Sequence, residues 1–256
     1  MKSMSDADTL LHAESITAGY GEGIVLHEVD FTLNAGKSLA VLGRNGVGKS
    51  TLMLALLGHL PLRSGKIAMR GVDITSTLPH ERVTAGLGWV PQGRECFPSL
   101  TVDEHLVIAA RKGPWNRERV YELFPRLRER IKNMGNQLSG GEQQMLAIGR
   151  ALMTNPAVLI LDEPLEGLAP VIIAEVSNCL RRLVAEEGTT LILVEQRAAF
   201  ALEMTADAIV LERGRIVHAS TSAALAADEV LLDRVIGMRK LHETAKELAQ
   251  DAAAIP

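Results

Sequence analysis

Aromatic residues are scarce in this chain: two Trp, two Tyr and four Phe among 256 residues. So few rings give a poor supply for base-stacking platforms and for the interfacial belts of membrane proteins. Positive charge is not in excess either. Lys and Arg number 27 against 31 Asp and Glu, a net charge of −4, which leaves no electrostatic footprint for general nucleic-acid binding. No apolar run approaches the ~20 residues of a membrane span. The longest core-like runs, such as Val158 to Leu161, are strand-sized. The opening segment, MKSMSDADTL, carries acids where a signal peptide needs its apolar stretch. The chain is therefore expected to be cytosolic, while able to sit on a membrane protein. Cysteine is limited to Cys96 and Cys179, which are far apart and in no metal spacing. Both are expected to be reduced and without a chemical role. His12, His27, His59, His80, His105, His218 and His242 form no cluster of the kind a metal site requires.

What is present is the composition of a folded globular protein: 47% hydrophobic and 23% charged residues, enough to bury a core and against a disordered chain. The length fits one or two domains at ~150 residues each. Short apolar runs alternate with helical patterns, the mark of an α/β protein. Ser38 to Leu42, Ala157 to Leu161, Thr190 to Val194 and Ala208 to Leu211 are apolar almost throughout, as strands covered on both faces must be. Leu11 to Thr17 and Gly23 to Leu33 alternate more, which suits an antiparallel sheet with one wet face. Thr101-Val102-Asp103-Glu104 has the form of a capping box and predicts a helix through Arg111, ended by Gly113-Pro114. Asn116 caps a second helix that Pro125 interrupts or restarts. The segment from about 93 to 150 is thus expected to be mostly helical. The tail after Ser222 predicts a solvated helix of mixed charge.

Three motifs carry chemistry. Gly43-Arg44-Asn45-Gly46-Val47-Gly48-Lys49-Ser50-Thr51 fits the phosphate loop G-x-x-x-x-G-K-[ST], between a strand and a helix predicted over Ser50 to Gly58. Its glycines let backbone N–H groups approach phosphates, and the helix N-terminus adds donors and partial positive charge. Lys49 reaches the β- and γ-phosphates and Ser50 ligates Mg²⁺. About 115 residues later, Val158-Leu159-Ile160-Leu161-Asp162-Glu163-Pro164 is a buried strand ending in two acids. Carboxylates at the C-terminal end of a parallel strand lie where open α/β sheets bind ligands. Asp162 is expected to hold Mg²⁺ through its waters, and Glu163 to act as general base on an attacking water. Third, Leu138-Ser139-Gly140-Gly141-Glu142-Gln143-Gln144 places a Ser-Gly-Gly turn at the start of a helix expected over Glu142 to Met153, a second anion site.

This third segment is similar to the LSGGQ signature of ABC-type ATPases, and the resemblance covers nearly the whole chain. It implies one nucleotide-binding domain over 1–256, a P-loop NTPase of ABC type, with ATP and Mg²⁺ as cofactors. The parts implied are a core at about 10–92 and 151–220, an N-terminal antiparallel β part, a helical insert at about 93–150 and a C-terminal helical tail at about 223–256. Ser139, Gly140, Gly141 and Glu142 then face the ATP held by a second ATPase subunit, packed head to tail. Tyr20, in Gly19-Tyr20-Gly21, stands where the family has an aromatic that stacks on adenine. Gln92, in Val90-Pro91-Gln92-Gly93-Arg94, matches the Q-loop glutamine that senses Mg²⁺ and the γ-phosphate. The segments GRNGVGKST, VPQGRECFPSLTVDEHL, QLSGGEQQMLAIGRALMTNP, DEPLEGLAP and LILVEQ resemble more narrowly the ATPases of branched-chain amino acid importers, in their LivF-type branch. The implied partners are two integral membrane permease subunits and, indirectly, a solute-binding protein outside the membrane; nucleic acid is not among them. A groove at roughly 92 to 105 is expected to hold a permease helix. The implied location is peripheral, on the cytoplasmic face of the cell (inner) membrane.

Two positions depart from the general ABC pattern. Gln196 stands where a switch histidine is usual, and is expected to act in catalysis; its amide can donate a hydrogen bond to the γ-phosphate but cannot carry a proton's charge. Ala169 stands where the D-loop usually ends in aspartate. Together they imply work beside a non-identical ATPase with unequal ATP sites. Importers of urea and short amides share much of the same wording, so the alternative to branched-chain amino acids is the same role for urea, short amides or another small solute. A soluble ABC ATPase acting on DNA or ribosomes fits less well, because the chain has no sustained heptads and one set of motifs. A P-loop small-molecule kinase would leave the LSGGEQQ segment without a role.

Overall fold

The structure, a computed structural model, describes residues 9–236. The charged tail residues Arg239, Lys240, Glu243, Lys246 and Glu247 lie outside the described residues. The chain opens with a hairpin of β1 (Thr9–Tyr20) and β2 (Gly23–Asn34), paired antiparallel from Thr9↔Asn34 to Tyr20↔Gly23. β3 (Ser38–Leu42) leads into α1 (Lys49–Leu56), followed by β4 (Leu62–Met69), β5 (Val72–Asp73), α2 (Pro79–Ala85) and β6 (Leu87–Val90). Then come α3 (Val102–Ala109), α4 (Arg117–Leu123), α5 (Pro125–Glu129), a 3-10 turn (Gly135–Gln137) and α6 (Gly140–Leu152). β7 (Val158–Asp162), α7 (Pro170–Ala185), β8 (Thr190–Val194), α8 (Ala198–Met204), β9 (Asp207–Glu212), β10 (Arg215–Thr221), α9 (Ser222–Ala227) and α10 (Glu229–Ile236) complete the described fold.

Two sheets result. The order β2-β1-β4-β5 is antiparallel, and β10-β9-β3-β8-β7-β6 is parallel apart from its β10 edge. Strand alternation splits the second sheet's side chains between two cores. Leu39, Val41, Ile160, Ile192 and Val194 pack with α1 and the antiparallel sheet. Ala40, Leu42, Leu159, Leu161 and Leu193 pack on the other face with α3 to α8. Both faces are covered, which is why β3, β7 and β8 are apolar apart from Ser38, Asp162 and Thr190 at their ends. The helical stretch shares this second core: Leu106, Val120, Phe124, Leu127 and Leu146 are buried with Leu159 and Leu161.

Local signals explain most of these elements. The Thr101 hydroxyl accepts from the Glu104 N–H, and the Glu104 carboxylate accepts from the Thr101 N–H at 2.7 Å, the predicted capping box. Asn116 caps α4, and Pro125 opens α5 as its first residue. Some boundaries differ from expectation. α1 starts at Lys49 and ends at Leu56, short of Gly58; α3 ends at Ala109 because Ala110 is extended; α6 starts at Gly140 rather than Glu142. β7 and β9 each run one residue beyond the expected strand into the acids Asp162 and Glu212. β4, β6 and β10 were not expected. β4 carries Arg63, Ser64, Gly65 and Lys66; β6 is four residues with a glycine; β10 is an edge strand with no buried residue. Arg82 of α2 is buried and donates to Ala55 O and Leu56 O, both at 2.7 Å. It thereby satisfies the last carbonyls of the helix that begins at the phosphate loop.

Candidate functional site

The loop between β3 and α1 needs its glycines. Gly43 has φ 148°, and a Cβ there would meet the Leu211 carbonyl oxygen at 2.5 Å. Gly48 has φ 110° and is the N-cap of α1. The side chain of Lys49 is 5% exposed and turns back over the loop. Its Nζ donates to Gly43 O at 2.9 Å and Arg44 O at 3.2 Å, and lies 3.9 Å from Glu163 Oε1. Burial lowers the lysine's pKa, opposed by the charges of Glu163, Asp162 and Glu195.

The two acids stand opposite. Asp162 ends β7 with 4% exposure, and its Oδ1 has no hydrogen-bond partner. Burial first, and the Glu163 charge second, push its carboxyl up to about 6 against Lys49 and a hydrogen bond from Ser50. A buried carboxylate oxygen left unsatisfied beside a serine hydroxyl is a hard-oxygen donor pair that fits Mg²⁺. Glu163 follows in the left-handed region at φ 49°, its N–H bonded to Val194 O at 2.9 Å. Such a backbone is costly for a residue with a Cβ, and here it presents the carboxylate at the end of the sheet. Gln196 Nε2 donates to both Glu163 oxygens, at 2.8 and 2.7 Å. Gln92 Nε2 contacts Glu163 Oε2 at 3.4 Å and donates to Glu166 Oε2 at 2.7 Å.

Lys49, Glu163, Gln92 and Gln196 line a cavity of about 360 Å³, and Asp162 lies outside its lining. Of the expected residues, Asn45, Gly46, Gly48, Lys49, Ser50, Thr51, Gln92, Glu163 and Gln196 line it. Val25 and Glu166 join them, neither singled out by sequence reasoning. The β1–β2 hairpin pattern could have found Val25, which sits two residues beyond the partner of Tyr20. Gly43, Arg44 and Val47 shape the loop without lining the cavity, and Tyr20 is 52% exposed at the tip of that hairpin.

The signature turn lies elsewhere. Ser139 caps α6: its Oγ accepts from Glu142 N at 3.3 Å, and its own N–H bonds Glu142 Oε2 at 2.7 Å. Arg130 takes Glu142 Oε1 at 3.2 Å, so the N–H and carboxylate of Glu142 are all engaged in holding the turn. The two glycines have packing reasons: a Cβ on Gly140 would lie 2.8 Å from the Arg94 guanidinium, and one on Gly141 2.5 Å from Ile172. Ser139, Gly140, Gly141 and Glu142 do not line the chain's own cavity. Ala169 is the N-cap of α7 and, as alanine, supplies no side-chain cap.

Glu195 was not anticipated. It is 3% exposed; Oε2 accepts from Gln196 N and Arg197 N at 3.2 and 3.4 Å, and Oε1 has no partner. Burial pushes its carboxyl up to about 7. A raised carboxyl pKa means that the folded state binds the proton more tightly than the unfolded state. Stability contributed by this group is therefore present at low pH and lost as pH rises from its ordinary value of 4.5 through about 7. Chemical denaturation of Glu195→Gln is expected to lose much of the fall in stability between pH 5 and 8, a term on the order of 3 kcal/mol.

Residues 26–166, more than half of the chain, match the model of the ABC transporter family. The chain belongs to the ABC transporter family. It is 40% identical over 89% of its length to the whole of BraG of Pseudomonas aeruginosa, a high-affinity branched-chain amino acid transport ATP-binding protein. It is 36% identical to LivF of Archaeoglobus fulgidus, a probable protein of the same description, over 86% of this chain and 95% of that one. The fold superposes on the ADP conformation of MJ1267, an ATP-binding cassette of an ABC transporter, with a TM-score of 0.75 and 27% identity, over 90% of this chain and 97% of that one. As an ABC ATPase, this chain has the α/β P-loop architecture of a nucleotide-binding domain. Among the described residues, no helix of this ABC ATPase is long and apolar enough to cross a membrane.

Proposed function

We propose that this ABC ATPase powers uptake of branched-chain amino acids from the cytoplasmic face of the membrane, with ATP and Mg²⁺ as cofactors. The observation that carries the hydrolytic part is one carboxylate, Glu163, held by the Gln196 amide 3.9 Å from Lys49 at the wall of the nucleotide cavity. Lys49 and the N–H groups opening α1 bind the β- and γ-phosphates. Glu163 takes a proton from the attacking water, and Gln196 keeps its carboxylate aimed. Ser50, Gln92 and, through water, Asp162 are the residues that would hold Mg²⁺, which supplies neutralising charge for the phosphates. Tyr20 stacks on the adenine.

Ser139, Gly140 and Gly141 face the ATP of a second ATPase subunit, identical or not, in a head-to-tail pair, with Glu142 holding the turn. Their absence from the chain's own cavity supports this reading. A helix of one permease subunit is expected to dock in a separate, largely apolar groove of about 490 Å³ lined by Trp89, Phe97, Ile108 and Arg150, among others. Only Glu95 and Phe97 of its walls come from the expected 92 to 105 stretch; the rest come from the end of α1, α2, β6, α3 and α6 and their flanking loops. Ile108 is 59% exposed there. Ile108→Asp is expected to lower solute uptake severalfold while nucleotide affinity stays at the native value, because a charge in an apolar docking face is left unpaired. A solute-binding protein outside the membrane would deliver the cargo.

The solute assignment rests on the similarity to BraG and LivF. Uptake of labelled leucine and labelled urea, in cells with and without the gene, tests it. Loss of leucine uptake alone is expected. Loss of urea uptake alone would transfer the role to a urea or short-amide importer, and loss of neither would contradict transport of either.

A further inference from the structure

Glu166 takes no part in the hydrolytic scheme, yet it is held more closely than any exposed side chain of the site needs to be. It lines the nucleotide cavity three residues after Glu163. Its Oε2 accepts from Gln92 Nε2 at 2.7 Å, closer than the 3.4 Å between the same amide and Glu163. Its backbone oxygen accepts from the Arg94 guanidinium at 3.0 Å. Two residues of the loop after β6 thus grip one residue of the loop after β7, by side chain and by main chain.

The gripping loop is itself strained. Gly93, Arg94 and Glu95 have φ of 98°, 68° and 45° in succession. Two consecutive side-chain-bearing residues in the left-handed region cost free energy unless the surroundings hold them. Arg150 does so, donating to Glu95 O at 2.7 Å and Arg94 O at 3.3 Å. The orientation of the Gln92 amide also follows from chemistry. Ionised carboxylates only accept hydrogen bonds, so the NH₂ side must face Glu163 and Glu166.

We infer that Glu166 is a positioning residue that competes with Mg²⁺-nucleotide for Gln92: the amide holds Glu166 through its NH₂, whereas Mg²⁺ would take the amide oxygen, so the amide must turn from the Glu166 carboxylate to serve the nucleotide. The inference rests on the cavity being the Mg²⁺-nucleotide site. It gives the Q-loop an internal partner in the D-loop, so that nucleotide engagement frees the Glu166 side chain while Arg94 still holds its main chain. The bond lowers apparent nucleotide affinity, because binding must break it.

The test is binding of a fluorescent non-hydrolysable ATP analogue with Mg²⁺ to the purified full chain. Glu166→Ala is expected to tighten binding about fivefold, the scale of one exposed hydrogen bond to a carboxylate. Glu166→Gln keeps an acceptor for the amide and is expected to stay within about twofold of native. That comparison separates the hydrogen bond from loss of negative charge. In a Gln92→Ala background, Glu166→Ala is expected to change affinity less than twofold. The inference is overturned if Glu166→Ala leaves affinity unchanged, if Glu166→Gln tightens binding as much as Glu166→Ala, or if the effect persists without Gln92. Lys49→Ala, run alongside, distinguishes the underlying reading. If it binds the analogue as well as native protein, the cavity assignment fails and the Glu166 inference with it. If it loses binding while Glu166→Ala is silent, only the Glu166 inference fails.

Discussion

Glu163→Gln lowers ATP turnover by about a hundredfold or more, the range for loss of a general base, while ATP still binds. The substitution is nearly isosteric, so the left-handed backbone at φ 49° and the N–H bond to Val194 O are kept. The amide oxygen still accepts from Gln196. What disappears is the group able to take the proton, together with one negative charge 3.9 Å from Lys49. Less negative charge beside the phosphates leaves ATP affinity equal or higher. The ATP-bound, closed pair should therefore accumulate. Single-turnover hydrolysis and sizing chromatography with Mg²⁺-ATP check both halves. Unchanged turnover would remove Glu163 from its role.

Lys49→Ala has the second large effect, and it falls on binding. The ammonium is buried among loop carbonyls and carboxylates, so it is already aimed where phosphates would lie. Charge-assisted hydrogen bonds to an anion are worth about 1.5–3 kcal/mol each. Losing this group should weaken ATP binding by on the order of a hundredfold. Lys49→Arg is not expected to rescue it, since a planar guanidinium is bulkier than an ammonium in a pocket that leaves 5% of the side chain exposed. The check is the rise in melting temperature on adding Mg²⁺-ATP, because a ligand that binds only the folded state stabilises it by mass action. A native-sized rise in Lys49→Ala would contradict the assignment.

The parts of this site that were legible in sequence are contiguous. The phosphate loop, the strand ending in Asp162 and Glu163, and the Ser139 cap each encode their own turn chemistry within a few residues. β3 and β8, each five buried residues long, fell at the expected boundaries, whereas β7, equally buried, is shifted by one residue so that it ends on Asp162. The parts that stayed hidden depend on contacts between distant segments. Glu195 sits in an ordinary run, VEQ, and only burial at the end of β8 reveals an unpaired oxygen. Glu166 was not singled out in the sequence, because the Gln92 that bonds it lies seventy-four residues earlier. Gln196 was expected to face a phosphate; its amide is seen holding the oxygens of Glu163. Glu142 was expected at the nucleotide, and its polar groups are instead spent on the helix cap and Arg130. β4 and β10 escaped because edge and wet-faced strands carry polar residues that blur a two-residue period.

An ABC ATPase that works attached to a membrane importer carries its partners through affinity purification. The tagged chain, recovered from detergent-solubilised native membranes, is expected to bring two multi-span proteins and a second ATPase with it, and Ile108→Asp to recover less of the multi-span pair. Recovery of the chain alone, or with ribosomes or DNA, would contradict the transport reading and leave only the ATPase chemistry.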